Sequence, residues 1–185
     1  MRELVREFGL CESIPQTFHK LQKFFSTALN QQQEIVVLCI GSSKVLGDCF
    51  GATVGDFLLS KNLPFWIYGN STSNVNATNI NVTQKLISLI HKNCTILVVD
   101  ALSTTNPSLI GDIVLSDEYV ALNKHVSINA QMFLFGTTTY FGHQNLHAKI
   151  SIVKSLAKLV SNTIEQAFIS AKHVLGLEFL HECVN

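Results

Sequence analysis

The sequence has no surplus of either charge: thirteen Lys and Arg residues balance thirteen Asp and Glu residues. A surface for nucleic acid or anionic membrane would show a basic excess, so neither partner is expected. No apolar run approaches the ~18 residues that a transmembrane helix needs. The stretch MRELVREFGL at the N-terminus is charged throughout and lacks the apolar core of a signal peptide. A cytoplasmic location is the resulting expectation. The five cysteines, Cys11, Cys39, Cys49, Cys94 and Cys183, form no CxxC pair. A zinc site is therefore not expected, and buried free thiols are. The glycines of GSSKVLGDCFG fit neither GxGxxG nor GxxxxGKS/T, with Lys44 misplaced for the latter, so nucleotide binding is not expected. No GxSxG elbow is present. No cofactor is predicted.

What is present is an apolar, weakly charged chain of 185 residues, 47% hydrophobic and 14% charged. That length suits one domain with a proper core. Residues 1–33 read as an N-terminal helix and linker, 34–172 as the core and 173–185 as a tail. The first helix spans 14–29, with Phe18, Leu21, Phe25 and Ala28 on one face and Ser13 as its cap. A strand over 34–40 stops at Gly41. A loop follows to Gly47 and Asp48, and a helix opens at Asp48 and ends near residue 61. Phe65 to Tyr68 form a second strand, and 70–80 a polar loop. A helix over 81–92 presents Val82, Leu86, Leu89 and Ile90 as its packing face. CTILVVDAL is apolar on both faces, as a central parallel strand is, and reads as ending at Asp100. Further strands are expected at 113–115 and 126–135, the second stopped by Gly136 and Thr137 to Thr139. A long last helix carries Val153, Leu156, Val160, Ile164, Ala167 and Ala171 inward and Lys154, Lys158, Asn162 and Glu165 outward. Alternating strands and helices predict an α/β fold, a three-layer αβα sandwich around a mostly parallel sheet.

In such sheets ligands bind beyond the carboxyl ends of the strands. Gly47 and Asp48 follow the first strand, Tyr68 and Asn70 follow the second, and Asp100 closes the third. Two carboxyls facing one crevice would share a proton, one acting as base and the other as acid. A helix N-terminus would hold Asp48 ionised as the base. Desolvation would keep Asp100 neutral as the acid. The plainer readings stand beside this one. Asp48 caps a helix in either case, and an Asp at a strand end often starts a turn. Cys49 beside it is either a thiolate or a buried core thiol. His143 and His147, one helical turn apart, and His125 in a polar loop could add a metal ligand to the two acids. Each also fits a cap or surface role.

The segment VVLCIGSSKVLGDCFGATVG resembles the opening signature of the YyaC-type sporulation proteins, CIG-x-D-R-S-T-G-D-S-L-G-P-x-V-G. WIYGNSTSNVNATNI and ILVVDAL are similar to later stretches of that family, and the resemblance spans roughly residues 34–170. It departs at Ser43 and Lys44, which stand for an acid and a base, and at Ala52, which stands for a proline. The family in turn resembles the germination protease and the hydrogenase-maturation endopeptidases. The resemblance implies that fold, and Asp48 and Asp100 as a catalytic pair hydrolysing a protein or peptide, with Gly47, Tyr68 and Asn70 in the cleft. It also implies a sporulation role in the cytoplasm, the forespore included. Two alternatives are a non-catalytic binding protein on the same fold and a metal-checking endopeptidase using the acids with a histidine. Oligomeric state is not readable.

Overall fold

Alternate residues along each strand sort into two separate cores, as a period of two requires of a sheet buried on both faces. The computed structural model describes residues 13–117, 128–141 and 146–177. Within them run α1 (Ile14–Asn30), β1 (Glu34–Cys39), α2 (Phe50–Leu59), β2 (Phe65–Tyr68), α3 (Ile80–Ile90) and β3 (Cys94–Thr104). A 3-10 turn at Pro107–Leu109 leads to β4 (Ile113–Ser116), β5 (Met132–Tyr140), β6 (Leu146–His147) and α4 (Ile150–Val174). The sheet order is β2-β1-β3-β5-β4, with β6 on β5. β2, β1, β3 and β5 are parallel, while β4 and β6 run antiparallel to β5. The expected α/β sandwich with a mostly parallel sheet is what the chain forms.

Val37, Cys39, Leu97, Val99 and Leu134 face α1, α2 and α4, meeting Leu21, Phe25, Val54, Leu58, Val160 and Ile164. Val36, Leu38, Val98, Phe133 and Phe135 face the other way, toward Ile80 and Ile87 of α3. The predicted inward stripe of α4, from Val153 to Ala171, is buried throughout. Its Glu165 is tied by Lys61 Nζ at 2.6 Å, which anchors the end of α2 to α4. At α1, Gln16 Oε1 accepts from the Ser13 backbone N–H at 3.0 Å, satisfying a donor at the helix start.

Four expectations are corrected. α2 begins at Phe50 with Cys49 in the cap position, so Asp48 is not a helix cap. A turn closes first, from the Asp48 N–H to the Val45 carbonyl at 2.9 Å. β3 continues past Asp100 to Thr104 because β5 stays paired alongside it, Ala101 opposite Gly136 and Leu102 opposite Thr137. β5 accordingly starts at Met132 and runs through the threonines to Tyr140. β-branched residues suit a paired strand, and the threonine run extends it rather than ending it. Lastly, α3 docks by the face opposite the one predicted. Val82, Leu86, Leu89 and Ile90 are exposed, while Ile80, Ile87 and the following His91 are buried.

Candidate active site

The strand order reverses at β1. Its successor β2 lies on one side and β3 on the other, with α2 and α3 on opposite faces. The carboxyl ends of β1 and β3 at that reversal are the switch point where open α/β sheets bind ligands. The sheet also steps there. The last β1–β3 pair is Cys39 with Val99, whereas β3 runs five residues further. Asp100 is the first residue of β3 beyond β1, and is buried. It shares the parity of Val98 and Leu102, which belong to the α3-side core. Its Oδ1 accepts from the Ala101 N–H at 2.7 Å.

Asp48 reaches the same step through the loop after β1. Ile40 donates its N–H to the Val99 carbonyl at 2.7 Å, and Gly41 donates to Val75 at 2.7 Å. Gly41 has φ of +146°, and a Cβ there would lie 2.0 Å from the Asp48 carbonyl oxygen. Only glycine allows that approach. The chain turns, and Asp48 Oδ2 accepts from the Ser42 N–H at 2.8 Å. Asp48 thus borders Gly41, and Asp100 follows Val99, whose carbonyl takes the Ile40 N–H. Burial pushes the Asp48 carboxyl above its ordinary pKa, with the Ser42 N–H opposing the shift. The expectation that a helix dipole holds it ionised is not met, because the carboxyl serves the loop and α2 starts two residues later. The thiolate reading of Cys49 is overturned as well. Its thiol is buried, its pKa is raised by desolvation, and Sγ donates to the Leu46 carbonyl at 3.2 Å.

Gly47 stands beside Asp48 with its carbonyl oxygen held by Thr138 Oγ1 at 2.7 Å. That bond fixes the loop on β5, and the sequence reading missed it. The buried threonine run following Gly136 was the available signal. Ser43 is secured from the other side by Asn74 Oδ1 and by the Ser71 carbonyl. Asn70 builds a turn, its Oδ1 accepting from the N–H groups of Thr72 and Ser73 at 2.8 and 2.7 Å. Tyr68, at the end of β2, bonds the residue that follows α3. Its hydroxyl lies 2.8 Å from His91 Nε2, and His91 Nδ1 lies 2.9 Å from Glu34 Oε2. Burial raises the Tyr68 pKa, with Cys94 and Glu34 adding to the shift. Gly47 and Asp48 thus lie in the loop after β1 and Asp100 on β3 just past the last β1–β3 pair, while Tyr68 bonds His91 and Asn70 bonds its own turn. His125, His143 and the side chain of His147 lie outside the described residues. Among the described residues no three His, Cys, Asp or Glu side chains are grouped to hold a metal ion.

Residues 12–163 match the family described as "Protein of unknown function (DUF1256)". The chain belongs to that family. As a DUF1256 protein it is similar to the uncharacterized protein YyaC of Bacillus subtilis (strain 168), 34% identical over 85 residues. The match takes in 44% of this chain and 42% of the relative, so it spans less than half of that protein. The YyaC-type resemblance read from the three motifs is borne out. The DUF1256 fold is also that of a NiFe hydrogenase maturation protease, HycI from Thermococcus kodakarensis KOD1. The TM-score is 0.52 at 14% identity, over 79% of this chain and 99% of the other. At that identity the likeness is one of fold. No helix among the described residues is long and apolar enough to cross a membrane.

Proposed function

We propose that this chain is a sporulation-associated peptidase in which Asp48 and Asp100 hydrolyse a peptide bond in a protein or peptide substrate. What supports this reading is that Asp48 lies in the loop after β1 and Asp100 on β3 just past the last β1–β3 pair, at the sheet's switch point. The likeness of fold to a maturation protease supports it. Asp48, its pKa raised by burial, supplies the proton to the leaving amine. Asp100 takes a proton from the attacking water. This reverses the roles expected from a helix-capping Asp48. A fluorogenic peptide library incubated with the purified chain tests the proposal. Cleavage is expected, and Asp48→Asn and Asp100→Asn should each lower kcat/KM by roughly 10²–10⁴-fold. A wild-type chain that cleaves no member of the library overturns it.

A second reading is a non-catalytic sporulation protein on the same fold. It is favoured by the fact that each carboxyl accepts a bond from a neighbouring backbone N–H, Ser42 for Asp48 and Ala101 for Asp100. Under it both variants melt at lower temperature and the wild type shows no turnover.

A further inference from the structure

A carboxylate, an imidazole and a hydroxyl from three separate elements stand in one hydrogen-bonded row. Glu34 opens β1, at the other end of that strand from the Asp48 loop, Tyr68 ends β2, and His91 follows α3. The His91 ring is buried. Its Nδ1 lies 2.9 Å from Glu34 Oε2 and its Nε2 lies 2.8 Å from the Tyr68 hydroxyl. A carboxylate only accepts, so Nδ1 carries the proton and Nε2 turns its lone pair to the Tyr68 O–H. The other oxygen of Glu34 accepts from Trp66 Nε1 at 3.2 Å, so the carboxylate is held twice. The Trp66 ring lies against the imidazole, centroids 5.0 Å apart, and the Tyr68 ring meets it edge-on. The His91 N–H bonds the Ile87 carbonyl at 2.8 Å, which ties the main chain of the base to α3. Ring orientation and tautomer are both set. Tyr68 is only half-buried, so water could satisfy its hydroxyl and the fold does not require this partner.

We propose that this row is a second catalytic site, separate from the two aspartates, in which Tyr68 is the nucleophile toward carboxylic esters, His91 its base and Glu34 the residue that positions the base. A nucleophile bonded to a base, itself oriented by a third group, is recognised by geometry and roles rather than by sequence order. Burial, Cys94 and Glu34 all raise the Tyr68 pKa. The phenol therefore reacts as its proton leaves, which is the work of a general base. The same two neighbours disfavour added negative charge, so an uncharged ester suits the site better than a phosphate. In the first step Tyr68 Oη bonds the ester carbonyl carbon and its proton passes to His91 Nε2. The bond to the leaving oxygen breaks, and His91 returns the proton to that oxygen, releasing an alcohol. Tyr68 is left as an aryl ester. Water, losing a proton to the same Nε2, then attacks its carbonyl. The bond to Oη breaks, the phenol regains its proton from His91, and a carboxylic acid departs. A phenol leaves more readily than an aliphatic alcohol, so the intermediate is one that water can clear.

Rapid mixing of the purified chain with p-nitrophenyl acetate near neutral pH tests the site. A burst of about one p-nitrophenolate per chain is expected, followed by slower release. Peptide mapping of the quenched chain by mass spectrometry should find the acetyl group on Tyr68. Tyr68→Phe removes only the hydroxyl and should abolish the burst. His91→Gln should slow it by roughly 10²–10⁴-fold. Glu34→Gln, which leaves the Tyr68 hydroxyl and Nε2 present, should slow the burst without changing its amplitude. The absence of a burst overturns the proposal. So does a burst that survives in Tyr68→Phe, or acetyl found on Cys94 or on lysines and not on Tyr68. Should Tyr68→Phe fail to fold, the map of the wild type still decides. A row that only braces the fold would lower Tm in the variants and leave wild-type Tyr68 unacetylated. None of these outcomes depends on peptide cleavage.

Discussion

Asp48 carries the burden of any acid–base role at the β1–β3 step, and its environment fixes how it answers to pH. Burial raises its folded-state pKa above the ordinary value of 3.8, with the Ser42 N–H opposing. A carboxyl of that kind holds its proton more tightly in the native state. Its contribution to stability is fully present below the unfolded value and is lost as pH rises through the folded one. Asp48→Asn keeps an oxygen for the Ser42 N–H and removes the charge. It is expected to raise Tm near pH 7, with the gain shrinking to nothing as pH falls below about 3.8, by calorimetry across a pH series. A gain in stability with a loss of turnover marks a residue kept for function. A loss of stability near pH 7 would assign the carboxylate to holding the loop. That Asp48 lies in the loop after β1 and Asp100 on an apolar strand was legible in the sequence, since an apolar run meeting a polar residue is local information; that β3 runs on past Asp100 to Thr104 was not. The bonds they make were not. The Tyr68 hydroxyl is claimed by His91, 23 residues on, and no pattern within β2 encodes that contact.

At the scale of elements, the position of Asp48 depends on how closely α2 lies on the sheet. Gly51, in its first turn, sits where a Cβ would be 2.1 Å from the Ile40 carbonyl oxygen and 2.6 Å from that of Val99. Both contacts are backbone, so neither can swing aside. Gly51→Ala must lift α2 off the step. The expected loss is about 1–3 kcal/mol, the size of a core overpacking. Urea unfolding measures it, and a loss under about 0.5 kcal/mol would show that α2 is not seated as described. The sequence disclosed that a helix follows the loop. It could not disclose this approach, because a glycine in a helix reads only as a weak position until the strand beneath it is known. α3 shows the same limit more sharply. It carries two apolar stripes, and periodicity alone does not say which faces the sheet. Ile80, Ile87 and His91 won, with His91 fastened to Glu34 and Tyr68 at the helix end. β3 ran longer than read, and β5 started and ended later, for a related reason. Each supports the other past the point where β1 stops, and pairing between strands more than thirty residues apart decides their ends.

Over the whole molecule the two faces of the sheet are unequal, and this sets where the fold opens first. α4 buries ten side chains, including Val160, Ile164 and Phe168, whereas α3 buries Ile80 and Ile87. Each fully buried Leu, Ile, Val or Phe is worth about 1.5–3 kcal/mol, so α4 is held by several times the burial that holds α3. Local opening follows the weaker attachment. Amide hydrogen exchange at low micromolar concentration should therefore show α3 exchanging through a local opening, faster than α4 and the central strand β3 by at least about 10²-fold. The amides of α4 should follow global unfolding, their protection falling in step with stability in denaturant. Equal protection of α3 and α4 in the dilute chain would mean that the α3 face is closed by more than its two isoleucines.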